Sequence, residues 1–258
     1  MGINLPTGYQ LAEFETLAST NQQAMQMAQT GDVGFLQHGP LVVFTKNQSA
    51  GRGRSGRTWL SSNQTLTATI LLSSKAPKDK VAQLAFVAAL AVHKTVCEFI
   101  PADKHKSVGL KWPNDVLVQG RKLAGILIES CAVKGFPDSI LAVGIGMNIG
   151  DIPEDGDFSA TSLKGLDAEV NIEQVLSSLT FNFDKYLDLW SDGTGFALIR
   201  KIWLDHALGL GGKITARLPN QSIQGTFESL DDDGTLILRD EADKIHQITA
   251  GDIFIGHI

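Results

Sequence analysis

The stretch Gln48-Ser-Ala-Gly-Arg-Gly-Arg-Ser-Gly-Arg-Thr-Trp-Leu60 constrains this chain more than any other. Gly51, Gly53 and Gly56 alternate with Arg52, Arg54 and Arg57, and Trp59 follows. Glycine admits positive φ and close backbone approach, so successive N–H groups can line a concave anion site. Arginine adds planar, permanently charged forks suited to phosphate and carboxylate. The indole offers a flat face for a base. The run also spells G-x-G-x-x-G, but a dinucleotide loop needs a strand before it and a helix after it. Leu41-Val-Val-Phe-Thr45 supplies the strand, whereas Thr65-Leu-Thr-Ala-Thr-Ile-Leu-Leu72 is rich in β-branched residues and reads as a second strand. A loop between two strands excludes the Rossmann unit. No G-x-x-x-x-G-K, H-R-D or D-F-G run supports a P-loop or a kinase. On composition alone, a solvated or RNA-binding glycine–arginine segment stays open.

Charge narrows that choice. The chain has 258 residues, 43% of them apolar, and a formal net charge of −6. It can bury one domain, or one domain plus a small module. An acidic balance argues against a nucleic-acid coat, so the arginine loop is a local positive feature suited to a focused anion site. Cys97 and Cys131 have neither metal-ligand nor disulfide-framework spacing. No signal peptide is evident, and the longest strongly apolar run, Leu84 to Val92, is too short to span a bilayer. The expectation is a cytoplasmic chain with no membrane partner.

Periodicity orders the rest. Tyr9 to Glu15 alternates as a strand, and Ser19-Thr-Asn-Gln22 opens a helix to about Thr30 with Gly31 as its stop. Those hydroxyls are helix caps, or groups facing a ligand. Residues 81–100 read as a buried helix ending at Pro101, and Lys111-Trp-Pro-Asn-Asp115 as a turn. Val116–Val118 and Leu123–Ile128 form strands around Gln119-Gly120, and Ile140–Ile149 forms another. Lys122 begins a strand, where lysine is ordinarily solvated, and Gly125 weakens that strand unless another group comes close. Asn148 is a turn cap or a ligand contact. Residues 151–160 form an acidic loop, and helices follow at about 172–190 and 194–207. From Gly209 the texture changes to short alternating strands at 213–218, 222–230, 234–239 and 246–248, the pattern of a small SH3-like β-barrel. The expected division is 1–208 and 209–258.

Ser19-Thr-Asn, Gln48-x-x-Gly-Arg-Gly-Arg-x-Gly-Arg-x-Trp59, Lys111-Trp-Pro-Asn-Asp115, Arg121-Lys-Leu-Ala-Gly-Ile-Leu127 and Gly144-x-Gly-x-Asn148 occur together and in order. In these motifs the chain resembles the biotin–protein ligases. The resemblance implies an α/β (α+β) mixed-sheet catalytic domain, akin to class II aminoacyl-tRNA synthetases and lipoate ligases, followed by the SH3-like barrel. It implies adenylation of biotin by Mg2+–ATP to biotinyl-AMP, then transfer to a lysine of a biotin carboxyl carrier domain of a biotin-dependent carboxylase. It implies a biotin site of Ser19, Thr20, Asn21, Gln48, Gly51, Arg52, Gly53, Arg54, Lys122 and Gly125. The ATP site would comprise Arg54, Arg57, Trp59, Lys111, Asn114, Asp115, Lys122 and Asn148. Lys122 and Arg54 are the catalytic candidates; the resemblance names no metal ligand. Relatives are monomers or homodimers. Many bacterial relatives begin with a helix-turn-helix domain; here the Ser-Thr-Asn helix starts at residue 19, so a ligase without operator binding is expected. A lipoate ligase, or a non-enzymatic ligand- or RNA-binding protein, are the alternatives.

Overall fold

The computed structural model describes residues 2–30, 33–134, 136–152 and 160–256. The Gly31 helix stop and most of the acidic 151–160 loop lie outside the described residues. In chain order the elements are β1 (Gln10–Leu17), α1 (Thr20–Thr30), β2 (Leu41–Gln48), β3 (Gly51–Arg52), β4 (Thr58–Trp59), β5 (Thr65–Ser74) and α2 (Leu84–Phe99). Then come β6 (Val108–Lys111), β7 (Asp115–Val118), β8 (Arg121–Cys131), β9 (Ser139–Asn148), α3 (Ile172–Trp190) and α4 (Phe196–Leu204). The last five strands are β10 (Lys213–Arg217), β11 (Ser222–Leu230), β12 (Leu236–Arg239), β13 (Ile245–Ile248) and β14 (Asp252–Ile255).

Seven strands build one sheet in the order β1-β2-β5-β9-β8-β7-β6. Only β1 and β2 run parallel, because α1 carries the chain back across the sheet between them; the remaining pairs are antiparallel. Side chains of β9 alternate between faces. Val143, Ile145 and Met147 enter the large core with α2, α3 and α4, while Ile140 and Ala142 pack with Ala24 and Ala28 of α1. Both faces are thus covered, which explains the near-continuous apolar runs of β5 and β9. The even-numbered residues Gly144, Gly146 and Asn148 continue the α1 face, and this is where the site lies.

Several expectations need correction. Lys111 was expected in a turn, but it closes β6 and pairs with Asp115 across the hairpin. The turn proper is Trp112 to Asn114, with a cis Trp112–Pro113 peptide. The 48–60 loop holds a short ribbon, Gly51 opposite Trp59 and Arg52 opposite Thr58, too brief to show as alternation. With the 3₁₀ turn Lys78–Gln83 added, the helical segment ending at Phe99 is long and apolar enough, by length and composition, to cross a bilayer. It is longer than the run Leu84–Val92 marked out in the sequence, and α2 packs against α3 inside the core.

The C-terminal strands form a five-stranded antiparallel sheet, β13-β12-β11-β10-β14, whose last strand escaped the sequence reading. This module shares the main core, since Phe227, Leu230, Leu236 and Leu238 join the cluster containing Phe86 and Trp203. Trp112 Nε1 donates to the Gly234 carbonyl at 3.0 Å, and residues 206–208 hydrogen-bond along the free edge of β6.

At that seam His93 of α2 stacks on His206, with ring centroids 4.0 Å apart. Burial, aided by His206, holds the His93 imidazole down to about 4. The folded value lies below the ordinary 6.5, so the unfolded chain binds the extra proton. Stability is fully present above about pH 6.5 and is lost as pH falls through 4, by up to roughly 3 kcal/mol. Denaturant unfolding at pH 7 and pH 4.5 should show His93→Gln losing about 2 kcal/mol less than wild type over that interval. Equal losses would mean that His93 carries none of the pH dependence.

Candidate functional site

Two clusters of polar side chains face each other on the α1 side of the sheet. The first begins at the start of α1. Ser19 Oγ accepts the Gln22 N–H at 3.4 Å, which is one half of a capping box. Thr20 and Asn21 are 4% and 3% exposed, although both are polar. Thr20 N–H donates to Gln48 Oε1 at 3.0 Å, and Gln48 Nε2 donates to Ser61 at 3.4 Å. Asn21 hydrogen-bonds to Leu127, Glu129 and Thr69, while Arg52 lies 3.5 Å from Glu129. Ser19, Thr20, Asn21, Gln48, Gly51 and Arg52 are therefore neighbours.

The second cluster gathers on the β7–β8 hairpin. Lys122 Nζ lies 2.7 Å from Asp115 Oδ1 and 5.6 Å from the Trp59 ring centre. Lys122 is fixed by β8 pairing and by its own carbonyl, which accepts the Thr161 N–H at 2.9 Å. Both members of the ion pair are largely covered, with side-chain exposures of 30% and 21%. Removing one partner from such a pair costs more than breaking a solvated surface pair. Arg54 Nη1 donates to Asn114 Oδ1 at 3.0 Å, and Asn114 in turn donates to the Ile126 carbonyl at 2.5 Å. Burial pulls the Arg54 guanidinium below its ordinary value, opposed by Asp252 and Asp115. Burial likewise pulls down the Lys111 ammonium, again opposed first by Asp115.

Other candidates have structural employment. Asn148 Nδ2 donates to the Thr161 carbonyl at 3.1 Å, tying the segment after residue 160 to the end of β9. Arg57 reaches across to the C-terminal module, where Asp252 accepts at 2.7 Å. Gly53 N–H bonds the Arg57 carbonyl at 2.7 Å and closes the loop on itself. The space over Gly125 is taken by the Lys122 and Trp59 side chains, each about 3.2 Å from where a Cβ would sit.

The glycines of β9 explain themselves only here. Gly146 pairs with Gly125 across the sheet, and the Trp59 indole rests on both. Gly144 leaves room for the Asn21 amide. A methyl at either β9 position would collide with its neighbour. Thr69, Glu129 and Asp252 also contribute, and sequence spacing gave no sign of them. Their signal is register: Thr69 pairs with Gly144, which pairs with Leu127.

Trp59 Nε1 is buried without a hydrogen-bond partner among the described residues, so no side-chain hydrogen bond fixes the ring, which rests on the glycines with the Lys122 ammonium over it. In Gly146→Ala the ring must move off the sheet, and Trp59 fluorescence should shift to the red as it meets water. The shift should vanish in a Trp59→Phe background. An unchanged spectrum would show that the ring does not rest on Gly146.

Similarity to known proteins follows the same geometry. The Biotin/lipoate A/B protein ligase family matches residues 14–148, and the Biotin protein ligase C terminal domain matches residues 209–256. A biotin–[acetyl-CoA-carboxylase] ligase of Paracoccus denitrificans is 36% identical over 244 residues, covering 92% of this chain and 97% of the relative. The ligase of that name from Mycobacterium tuberculosis is 32% identical over 220 residues, with coverages of 83% and 78%. The solved biotin protein ligase from Aquifex aeolicus, in complex with biotin and ATP, has a TM-score of 0.77 at 26% identity, over 96% of this chain and 99% of that one. With the mixed sheet, the C-terminal module and the two facing polar clusters in place, the chain belongs to the biotin/lipoate A/B protein ligase family.

Proposed function

We infer that this chain is an ATP-dependent biotin–protein ligase. One oxygen of the biotin carboxylate attacks the α-phosphate of ATP, forming the biotinyl-AMP anhydride and releasing pyrophosphate. A lysine amine of a biotin carboxyl carrier domain then attacks the activated carbonyl, forming an amide and releasing AMP. The observation that carries this reading is the pairing of Lys122 with Asp115 beneath Trp59, with Arg54 anchored beside it.

Two anions must be brought into contact, and their repulsion has to be offset by fixed donors. In this reading Thr20, Asn21 and Gln48 receive the polar ring of biotin, which needs partners once buried. Arg52 and the Gly53 backbone cover the carboxylate end. Arg54 faces the phosphate, with Asn114 holding its guanidinium in place. Trp59 offers its outer face to adenine, with Lys111 and Arg57 at the nucleotide's edge. Asp115 aims the Lys122 ammonium, which offsets the negative charge gathering at the α-phosphate.

Magnesium fits the donor set in a limited way. Among the described residues no three His, Cys, Asp or Glu side chains converge to hold a metal. Asp115 is the carboxylate next to Lys122. A magnesium ion carried in by ATP would rely mainly on phosphate oxygens and water, with Asp115 at most a single protein ligand. Its contribution would be to neutralise phosphate charge.

Biotin-dependent ATP–pyrophosphate exchange, followed by labelling of a carrier domain, tests the reading directly. Lack of exchange by the wild-type chain would overturn it. Lys122→Ala should lower the exchange rate by about a hundredfold or more, the scale of losing one charge-stabilising donor. Lys122→Arg should recover only part, because a planar fork does not replace a compact ammonium. A folded Lys122→Ala within tenfold of wild type would reduce Lys122 to a strand-end residue.

A further inference from the structure

The outward face of β10 and β14 borders the arginine loop. Strand alternation turns Ile214, Ala216 and Ile253 into the core and leaves Thr215, Arg217, Asp252 and Phe254 on the other face. Arg217 stands directly opposite Asp252 across the two strands, where opposite charges ordinarily pair. Asp252 is taken instead by Arg57 of the loop, at 2.7 Å. The Arg217 guanidinium lies over the Phe254 ring, its carbon 4.5 Å from the ring centre. Lys111 Nζ approaches the same ring at 5.8 Å.

Among the described residues neither Lys111 nor Arg217 has a carboxylate at ion-pair distance, whereas Lys122 and Arg57 each have one. Two cations gathered on one ring repel each other until an anion joins them. The ring holds the guanidinium by its π-face, which leaves the N–H donors unspent. Arg217 and Phe254 are both exposed, so a solute reaches them. Lys111 stands across the β6–β7 hairpin from Asp115, and Asp115 holds Lys122. Lys122, Lys111 and Arg217 thus make a stepped row of cations from the β8 lysine to the C-terminal module.

We propose that Arg217, seated on Phe254, binds the β- and γ-phosphates of ATP together with Lys111 and steadies pyrophosphate as it leaves. The proposal rests on the ligase reading and extends its nucleotide site onto the C-terminal module. With the α-phosphate at Lys122, the outer phosphates extend along the row. As the biotin oxygen bonds to the α-phosphorus, the oxygen bridging the α- and β-phosphorus atoms takes the electron pair of the breaking bond. Negative charge therefore grows on the departing pyrophosphate, and a planar guanidinium with free N–H groups meets its oxygens two at a time. Arg217 acts in adenylation alone, because transfer to the carrier lysine releases AMP, which has no outer phosphates.

The two steps are measured apart, as pyrophosphate exchange and as transfer from preformed biotinyl-AMP to a carrier domain. Wild type, Arg217→Ala, Arg217→Lys and Phe254→Leu are compared, with thermal melting on the same samples. Arg217→Ala should melt like wild type and raise KM for ATP and for pyrophosphate about tenfold each, the scale of one lost charge-assisted contact. Its KM for biotin and its transfer rate should stay within about twofold of wild type. Arg217→Lys should recover part of the loss, since the charge remains and the fork does not. Phe254→Leu should raise the same two KM values by about threefold, because the guanidinium loses its seat. Unchanged KM for ATP and pyrophosphate in a folded Arg217→Ala would overturn the proposal. So would an equal slowing of transfer, which would assign this face to the carrier domain. A wild-type chain inactive in exchange would instead overturn the ligase reading beneath it.

Discussion

The site depends on a patch of sheet that has no side chains. Gly125, Gly144 and Gly146 are mutual neighbours across β8 and β9, and the α1 face there lies at backbone level. Into that depression drop the Asn21 amide from a helix and the Trp59 indole from a loop. Neither element could approach so closely over alanine. Glycine inside a strand sacrifices packing and chain entropy. The long ladders β5–β9 and β8–β9, hydrogen-bonded over most of their length, offset that weakness. The flat patch thus fixes how far the helix and the arginine loop stand from the strands, and so where Lys122 and Arg54 come to lie.

Charge is distributed to suit that geometry. The chain is acidic as a whole, yet Arg52, Arg54, Arg57, Lys111 and Lys122 crowd around one loop. Each has a neighbour: Arg52 lies beside Glu129, Arg54 donates to Asn114, Arg57 donates to Asp252, Lys111 stands over the Phe254 ring and Lys122 pairs with Asp115. The Arg52 and Arg57 side chains stay half exposed, whereas Lys122 and Arg54 are partly buried. Partial burial strengthens their field, because less water lies between them and any phosphate. The downward pull of burial on Arg54 and Lys111 reflects the same desolvation.

Much of this was legible in the residues. Alternation and apolar runs placed β1, β2, β5, β8 and β9 within a few positions, and the N-terminal cap of α1 lay at Ser19. The motifs pointed to Lys122, Arg54 and the Ser19–Asn21 group, and the structure gathers these into two facing clusters. What stayed hidden was register. Nothing in local pattern says that Gly146 opposes Gly125 or that Thr69 opposes Gly144, because pairing between distant strands is settled by the whole sheet. Glu129 was illegible for the same reason; on a strand it reads as one more exposed acid. The ribbon Gly51–Arg52 with Thr58–Trp59 was too short for periodicity, and β14 followed a turn that gave no strong signal.

Arg57 and Asp252 are joined at 2.7 Å but separated by 195 positions along the chain. A polypeptide made from its N-terminus exposes the arginine loop long before its acidic partner exists. Until residue 252 is made Arg57 has no Asp252 to close on, and until residue 234 is made the seam between Trp112 and Gly234 is equally absent. The loop therefore acquires its native tether only after Asp252 has been made. A chain that has completed the seven-stranded sheet still lacks the Arg57 tether, so the arginine loop depends on a segment far from it in sequence.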